Sequence, residues 1–408
     1  MKRSLYLILA ALAATPAGAA TLAETVDLRT VLRFARDASI PVLVEQSNVQ
    51  VAIAERSEAR ALPNPTLSYN RQHQPGRLTN FDSDRAQDWT FEQPLLLGGQ
   101  RKARMQAASA AIDAASARVT LTRHAVAADV ASAYVELLLA QERVAALKAG
   151  LDELTGLRDV VEGRRAGGLA SDYDVLRVDV EESSWRARVA EAESTLVEKQ
   201  TALALTLGVA NWRPRASGRL EPLVSQAPDA STPHPGIDLA RREESVAAAL
   251  ANVAKRERMP AVSVNVSRFW TSSPYGGTTS IGLAVEMPIF DRRQGAFDKA
   301  AAQAGTASLE RELAEAKLAA EIDSFTRLVA QRTLGLEDFQ RRAATRSPHL
   351  NRMAQDAYRA GQSSIAELLD ATRSSVELTL AEQELIAVLM DSQLKLESAK
   401  GNLLRRTL

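Results

Sequence analysis

The chain has 408 residues, a formal net charge of zero at pH 7 and no cysteine. Lack of cysteine excludes disulfides, thiolate metal sites and a lipidated N-terminal cysteine, and balanced charge gives no indication of nucleic-acid binding. A quarter of the residues are charged and the mean hydropathy is −0.16, which excludes a helical membrane protein. Abundant alanine with only 4% aromatic residues favours long, closely packed helices.

The first twenty residues have the three-part pattern of a secretory signal peptide. Residues 1–3 are positively charged, residues 5–14 are apolar, and residues 17–19 match an A-x-A cleavage site. An apolar run of about ten residues is too short to span a membrane, which takes about twenty. We therefore expect cleavage near Ala19 or Ala20 and an exported protein.

The first half of the mature chain predicts two helices, two strands and a long helical hairpin. The helices cover Leu28–Ala38 and 41–61, and the strands cover 66–71 and 86–93 around a polar loop at 74–76. In the second strand Trp89 and Phe91 fall on one face. Residues 100–163 contain no proline and would extend roughly 95 Å as one helix. After a break at 165–168, a returning helix is predicted over Asp172–Leu207.

The second half repeats this order of elements. It predicts a helix over 236–258, two strands within 260–288, an outgoing helix over 295–360 that Pro348 should interrupt, a break at 359–361 and a returning helix over 365–404. One side of the two strands is apolar, and its members are Val262, Val264, Val266, Ile281, Leu283 and Val285. We expect residues 211–235 to link the halves and to lie outside them.

The passage from strand to long helix occurs twice, at 88–107 and at 282–301. Glu92 and Pro94 correspond to Glu286 and Pro288, about 194 residues later. This recurrence indicates an internal duplication. We predict a signal peptide at 1–20, a first repeat at 21–220, a linker at 211–235 and a second repeat at 236–408.

The alternating strands fit either of two settings. Period-two alternation suits a strand between lipid and a wet lumen, and it suits equally a small soluble sheet with one wet face. Four strands cannot close a membrane barrel, since the smallest have about eight. Strands of about 8–11 residues have the height of a barrel wall, which favours the membrane setting, with the apolar positions of the second pair and Trp89 and Phe91 facing lipid. Several chains must then contribute to one barrel.

The duplicated junctions and two turn motifs carry a family resemblance. The second turn runs from Tyr358 to Ala371 as YRAGQSSIAELLDA, and residues 165–176 form a looser copy. Over nearly the whole mature chain the sequence resembles the TolC family of outer-membrane efflux proteins. The resemblance implies an α+β membrane protein in which a long α-helical barrel of coiled-coil hairpins continues into a transmembrane antiparallel β-barrel completed by trimerisation.

The same resemblance implies function, partners and location. It implies a homotrimer in the Gram-negative outer membrane that extends into the periplasm, without enzymatic activity or cofactor. It would be a passive efflux duct that works with a periplasmic adaptor and an inner-membrane pump, for which the resistance-nodulation-division type is expected. Residues 97–101, the short length and the lack of a lipid anchor are similar to the heavy-metal (cobalt-zinc-cadmium) branch. Drug efflux and type I secretion remain alternative uses of such a duct.

Acidic residues after the turn glycines would form the periplasmic gate. In the family such carboxylates ring the entrance, and here Glu367 and Asp370 occupy those positions, with Asp174 at the matching turn of the first half. Helix capping explains these carboxylates equally well. The family often locks the closed state with an arginine where this chain has Ser363, so Arg359 or Arg373 is expected to substitute.

The sequence gives less support to an enzyme, a periplasmic adaptor or a coiled-coil scaffold. The four histidines, at 73, 124, 234 and 349, have no paired metal-ligand spacing, and no phosphate loop or nucleophile elbow is present. A periplasmic adaptor would lack the duplicated strand pairs. An exported coiled-coil scaffold would leave the alternating strands unexplained.

Overall fold

The computed structural model describes residues 22–73, 85–223, 233–271, 276–344 and 347–403. These residues form two compact units, and each unit draws on both halves of the sequence. Among the described residues, unit 1 takes in 22–40, 125–223, 324–344 and 347–403, and unit 2 takes in 41–73, 85–124, 233–271 and 276–323. The signal peptide and the loop at 74–76 lie outside the described residues.

The elements follow the predicted order. The first half contains β1 (Thr25–Val26), α1 (Leu28–Ala38), α2 (Ile40–Arg60), β2 (Thr66–His73), β3 (Arg85–Leu95), α3 (Gln100–Ala166) and α4 (Asp172–Leu207). The second half contains β4 (Arg215–Ala216), α5 (Pro235–Arg256), β5 (Ala261–Thr271), β6 (Gly277–Glu286), α6 (Gln294–Phe339), a π-helical segment (Gln340–Ala344), α7 (Ser347–Arg359) and α8 (Ile365–Ala399). The predicted long helices and strand pairs are confirmed, and most of their ends differ by three residues or fewer.

The predicted interruption near Pro348 is also confirmed. The helix changes to π geometry after Phe339 and restarts as α7 at Ser347. Proline lacks an N–H and disfavours helix in the residue before it, which makes a continuous α-helix costly at this point.

Unit 2 contains a four-stranded antiparallel sheet in the order β2-β3-β5-β6. The register places Phe91 opposite Val266, and Val266 opposite Ile281. Since side chains alternate across a strand, all the predicted apolar positions share one face. Among the described strands, β2 and β6 each pair on one side only. The duplication therefore produces one sheet from two hairpins, with two outer edges.

Unit 1 is a set of long helices around an alanine-rich and leucine-rich core. Ala127, Val130 and Leu137 on α3 are completely buried. A Cβ at Gly150 would collide with the ring of Trp185, so glycine permits the close approach of α3 and α4. Small side chains of this kind let helices pack at short distance.

A short parallel pair of strands, β1 with β4, was not predicted. Tyr134 on α3 donates hydrogen bonds from its hydroxyl to the carbonyls of Val26 and Ser217. Ala216 and Leu220 are buried in the same core. The expectation that the whole linker lies outside the repeats is therefore wrong for residues 215–220. Two-residue strands leave no periodic signal in a sequence.

Across the described parts of the chain, none of the helices is both long enough and apolar enough to pass through a bilayer.

Candidate gate residues and the two-faced sheet

The two hairpin turns of unit 1 share one backbone geometry. Gly168 and Gly361 both have a φ of 73°, a left-handed conformation that glycine adopts without strain. Leu169 donates its N–H to the carbonyl of Arg164, and Gln362 donates to that of Ala357. These are the closing hydrogen bonds of a helix C-terminus. Both copies of the turn motif therefore encode the same reversal of the chain.

Two of the three predicted gate carboxylates cap the helices that follow these turns. Ser171 and Asp174 form a reciprocal capping box at the start of α4, and Ser364 and Glu367 form one at the start of α8. The backbone N–H of Ser171 lies 2.8 Å from Oδ2 of Asp174, and that of Ser364 lies 3.3 Å from Oε2 of Glu367. Each such box satisfies two otherwise free N–H groups. Asp174 and Glu367 therefore have the helix-capping role that was the alternative prediction for them.

The third carboxylate, Asp370, is exposed one turn further along α8. Glu367 is exposed as well, and neither forms an ion pair with a described cation. The two therefore lie on the outside of α8 in a single chain, with their charges available to solvent. A role for them at an aperture stays a prediction, as does that of Asp174.

Arg164 connects the first hairpin to the turn of the second. Its Nη1 donates to the carbonyl oxygens of Tyr358 and Arg359, at 2.9 and 3.0 Å. Its guanidinium also lies 4.9 Å from the centroid of the Tyr358 ring. Burial raises the pKa of the Tyr358 hydroxyl, and the charge of Arg164 opposes that rise. One arginine thus caps the C-terminal carbonyls of α7 and covers an aromatic ring beneath them.

An ion pair between Arg373 on α8 and both carboxylate oxygens of Glu181 on α4 joins the two helices. Nη2 of Arg373 lies 2.9 and 2.8 Å from the two carboxylate oxygens of Glu181, and its Nε donates to the same group. Trp185 Nε1 donates to Glu181 at 3.0 Å. Burial alone would raise the pKa of Glu181, but the hydrogen bonds from Arg373 and Trp185 outweigh it and lower that pKa.

Arg359 and Arg373 were expected to replace the arginine that the family often has at the position of Ser363. Of these two, Arg373 forms an ion pair between helices. Among the described carboxylates, Arg359 approaches only Asp356 on its own helix, at 3.9 Å. The sequence pattern did not identify Glu181, Trp185 or Arg164 as partners. Glu181 and Trp185 are four residues apart on α4, a spacing at which helical side chains meet, but the contacts of Glu181 with Arg373 and of Arg164 with Tyr358 join residues more than 190 apart.

The sheet of unit 2 has one apolar face and one polar face. Ile281 and Leu283 are 78% and 73% exposed, and Trp89 and Phe91 on the same face are over 40% exposed. On the other face, Ser263 donates to Glu92 at 2.6 Å and Ser267 bonds to Ser280 at 2.6 Å. Among the described residues no layer covers the apolar face, and a lipid or a partner surface is the environment that suits it.

Histidines and carboxylates form no metal centre that the described residues reveal. No group of three or more such side chains with suitable spacing occurs among them. His124 and His234 lie near one another, with ring centroids 6.4 Å apart. Burial, with a smaller effect of His234, lowers the pKa of His124 to about 4. His124 therefore stays neutral at physiological pH.

Comparison with known proteins agrees with this geometry. Residues 35–209 match the family described as outer membrane efflux protein. The cobalt-zinc-cadmium resistance protein CzcC of Cupriavidus metallidurans is 27% identical over 68% of this chain and 70% of its own length. The nickel-cobalt-cadmium resistance protein NccC of Alcaligenes xylosoxydans is 27% identical over 64% of this chain and 60% of its own.

The fold is shared with solved outer-membrane proteins over a larger part of the chain. The outer membrane protein VceC of Vibrio cholerae superimposes with a TM-score of 0.74 at 18% identity, over 92% of this chain and 96% of that one. The matched family, the strand pairs and the paired helical hairpins agree with one another. Over residues 35–209 this chain is therefore similar to the outer membrane efflux protein family.

Proposed function

We propose that this chain is the outer-membrane channel of a tripartite efflux system and provides a passive exit duct across the periplasm and the outer membrane. The observation that supports this most directly is the sheet of unit 2, with its exposed apolar face, its hydrogen-bonded polar face and its two outer edges. Three copies would supply twelve strands, enough to close a barrel with lipid outside and water within. Homotrimerisation thereby removes the open edges.

The proposed partners supply what this chain lacks. An inner-membrane pump, of the resistance-nodulation-division type, would provide the energy, and a periplasmic adaptor would join it to the helical hairpins. The chain itself would carry out no catalysis and need no cofactor, because conduction through a water-filled duct breaks no covalent bond.

Heavy-metal cations are the proposed cargo. Two relatives of this chain are named as cobalt-zinc-cadmium and nickel-cobalt-cadmium resistance proteins. Since small polar groups line the wet face of the sheet, the duct itself has little means of selecting a substrate, and the pump would choose the cargo. Export of drugs or of a secreted protein is the alternative.

The gate is proposed to lie at the two hairpin turns of unit 1. Glu367, Asp370 and Asp174 would place carboxylates around the entrance, three of each in a trimer, and attract cations there. The ion pair of Arg373 with Glu181 and the contact of Arg164 with the α7 carbonyls would hold the hairpins together in the closed state. Docking of the pump complex would then have to loosen these contacts.

Planar-bilayer recording tests the channel, and growth tests the cargo. Protein from outer-membrane fractions should run as a trimer that heat dissociates and should form cation-preferring channels. A deletion strain should lose resistance to zinc, cobalt or cadmium before it loses resistance to organic drugs. A monomer that needs no detergent would refute the channel, and a drug phenotype without a metal phenotype would refute the cargo.

A further inference from the structure

The end of the sheet that leads into the helices carries an unusual combination of side chains. By the strand register, β2 and β5 begin at this end and β3 and β6 finish there. Four segments of unit 2 therefore adjoin the strand ends on this side of the sheet. We call them the junction belt, and they comprise residues 60–65, 96–104, 255–260 and 286–293.

The junction belt is strongly basic although the whole chain is neutral. It contains nine Lys and Arg residues against three Asp and Glu residues, while the complete sequence has 50 of each kind. Arg104 and Arg293 share Glu257. Exposed cations of the belt that have no carboxylate partner among the described residues include Lys102, Lys255, Arg256 and Arg292. Their charges are available to an external anion.

The same segments expose large apolar side chains. Phe290 is fully exposed, and four others are 64 to 70% exposed, namely Leu62, Leu97, Met287 and Ile289. Met287 follows Val285 at the two-residue spacing of the apolar face. Beside the start of α3, an open groove of about 700 Å³ has Leu96 and Met105 next to Arg101 and Lys102. The junction belt thus exposes both apolar and cationic side chains.

We propose that the junction belt binds anionic phospholipid headgroups of the inner leaflet of the outer membrane. This inference rests on the proposed function, because it requires the sheet to cross that membrane. Exposed apolar chains bordering a lipid-facing sheet enter the interfacial layer, and neighbouring lysines and arginines meet lipid phosphates there. A protein partner would be expected to provide carboxylates for these cations, but the apolar side chains continue the face that already meets lipid, and this continuity favours a lipid surface.

Lipid retention by the purified full-length trimer tests the charges. Native mass spectrometry and the temperature of heat dissociation are measured with added phosphatidylglycerol or phosphatidylcholine. The wild type should retain several-fold more phosphatidylglycerol and should gain several degrees from it. The variant Lys102→Gln, Lys255→Gln, Arg256→Gln, Arg292→Gln should lose both differences.

A matched control removes the same charge from unit 1. Arg33→Gln, Arg143→Gln, Arg213→Gln, Arg219→Gln changes four exposed arginines with no carboxylate partner among the described residues, and it should keep the wild-type preference. Equal retention of the two lipids by the wild type, or equal loss in both variants, would overturn the proposal. Normal conductance of the belt variant would show that the channel itself is intact, which separates this inference from the proposed function.

A fluorescence experiment tests the apolar side chains. Phe290→Trp adds one indole, whose emission is obtained as the difference from the wild type in phosphatidylglycerol vesicles. Phospholipid brominated near the headgroup should quench this added emission more than phospholipid brominated near the chain end. Absence of quenching by either lipid would place Phe290 against another copy of the chain or in water, and would refute the assignment.

Discussion

The ion pair of Glu181 with Arg373 should stabilise the closed channel, and a double-mutant cycle measures by how much. The perturbations are Glu181→Ala, Arg373→Ala and both together in the full-length trimer. Arg373 offers Glu181 two N–H groups of Nη2 and Nε at 2.8 to 3.3 Å. Such a fork geometry is stronger than a single contact between point charges.

The expected coupling energy lies between that of surface pairs and that of buried ones. The Glu181 side chain is 16% exposed and that of Arg373 is 40% exposed. Exposed pairs contribute about 0.2–1 kcal/mol, while breaking a buried pair costs about 3–5 kcal/mol. We expect about 1–2 kcal/mol for each chain, which is roughly tenfold for one chain and roughly a thousandfold in the open-to-closed ratio of a trimer whose chains open together. Because the pKa of Glu181 is lowered, this contribution is complete above the ordinary value of 4.5 and is lost as the pH falls through the lowered pKa.

Single-channel recording supplies the open-to-closed ratio for each member of the cycle. The matched control is the pair Lys199 with Glu136, which joins α4 to α3 at 2.9 Å with side chains that are 36% and 54% exposed. Its coupling should stay below about 0.5 kcal/mol. If the effects of Glu181→Ala and Arg373→Ala simply add, the ion pair does not hold the hairpins together and the reasoning fails.

Three further changes probe other parts of the chain. Glu367→Ala with Asp370→Ala should raise single-channel conductance and reduce cation preference, and unchanged values would exclude these carboxylates from the constriction. Leu283→Arg should cost about 2–4 kcal/mol if this position is near the bilayer midplane, seen as less trimer in outer-membrane fractions, whereas Ser280→Arg on the polar face should assemble normally. His124→Gln should remove the loss of stability between pH 6.5 and about 4, which we place at about 3 kcal/mol for each chain because the unfolded histidine binds a proton that the folded one does not. Identical pH profiles of thermal dissociation would contradict this last expectation.

Local patterns in the sequence indicated the helices and strands and the resemblance to a family. Proline-free stretches with helical spacing located α3 and α4, and alternation located Val262–Val266 and Ile281–Val285 on common faces. The turn glycines Gly168 and Gly361 were visible because a left-handed residue is needed at each reversal. These signals are short in range, and each follows from a periodicity or a backbone preference that neighbouring residues reveal.

Contacts between distant parts of the chain were decided by the tertiary structure alone. The union of two predicted hairpins into one sheet required the pairing of β3 with β5, about 170 residues apart in sequence. The choice of Arg373 over Arg359 required the approach of α4 to α8, and the burial of Ala216 and Leu220 accompanies the β1–β4 pair. The sequence around a charged residue or a short strand does not indicate which partner it contacts. That partner is determined by the packing of the whole chain.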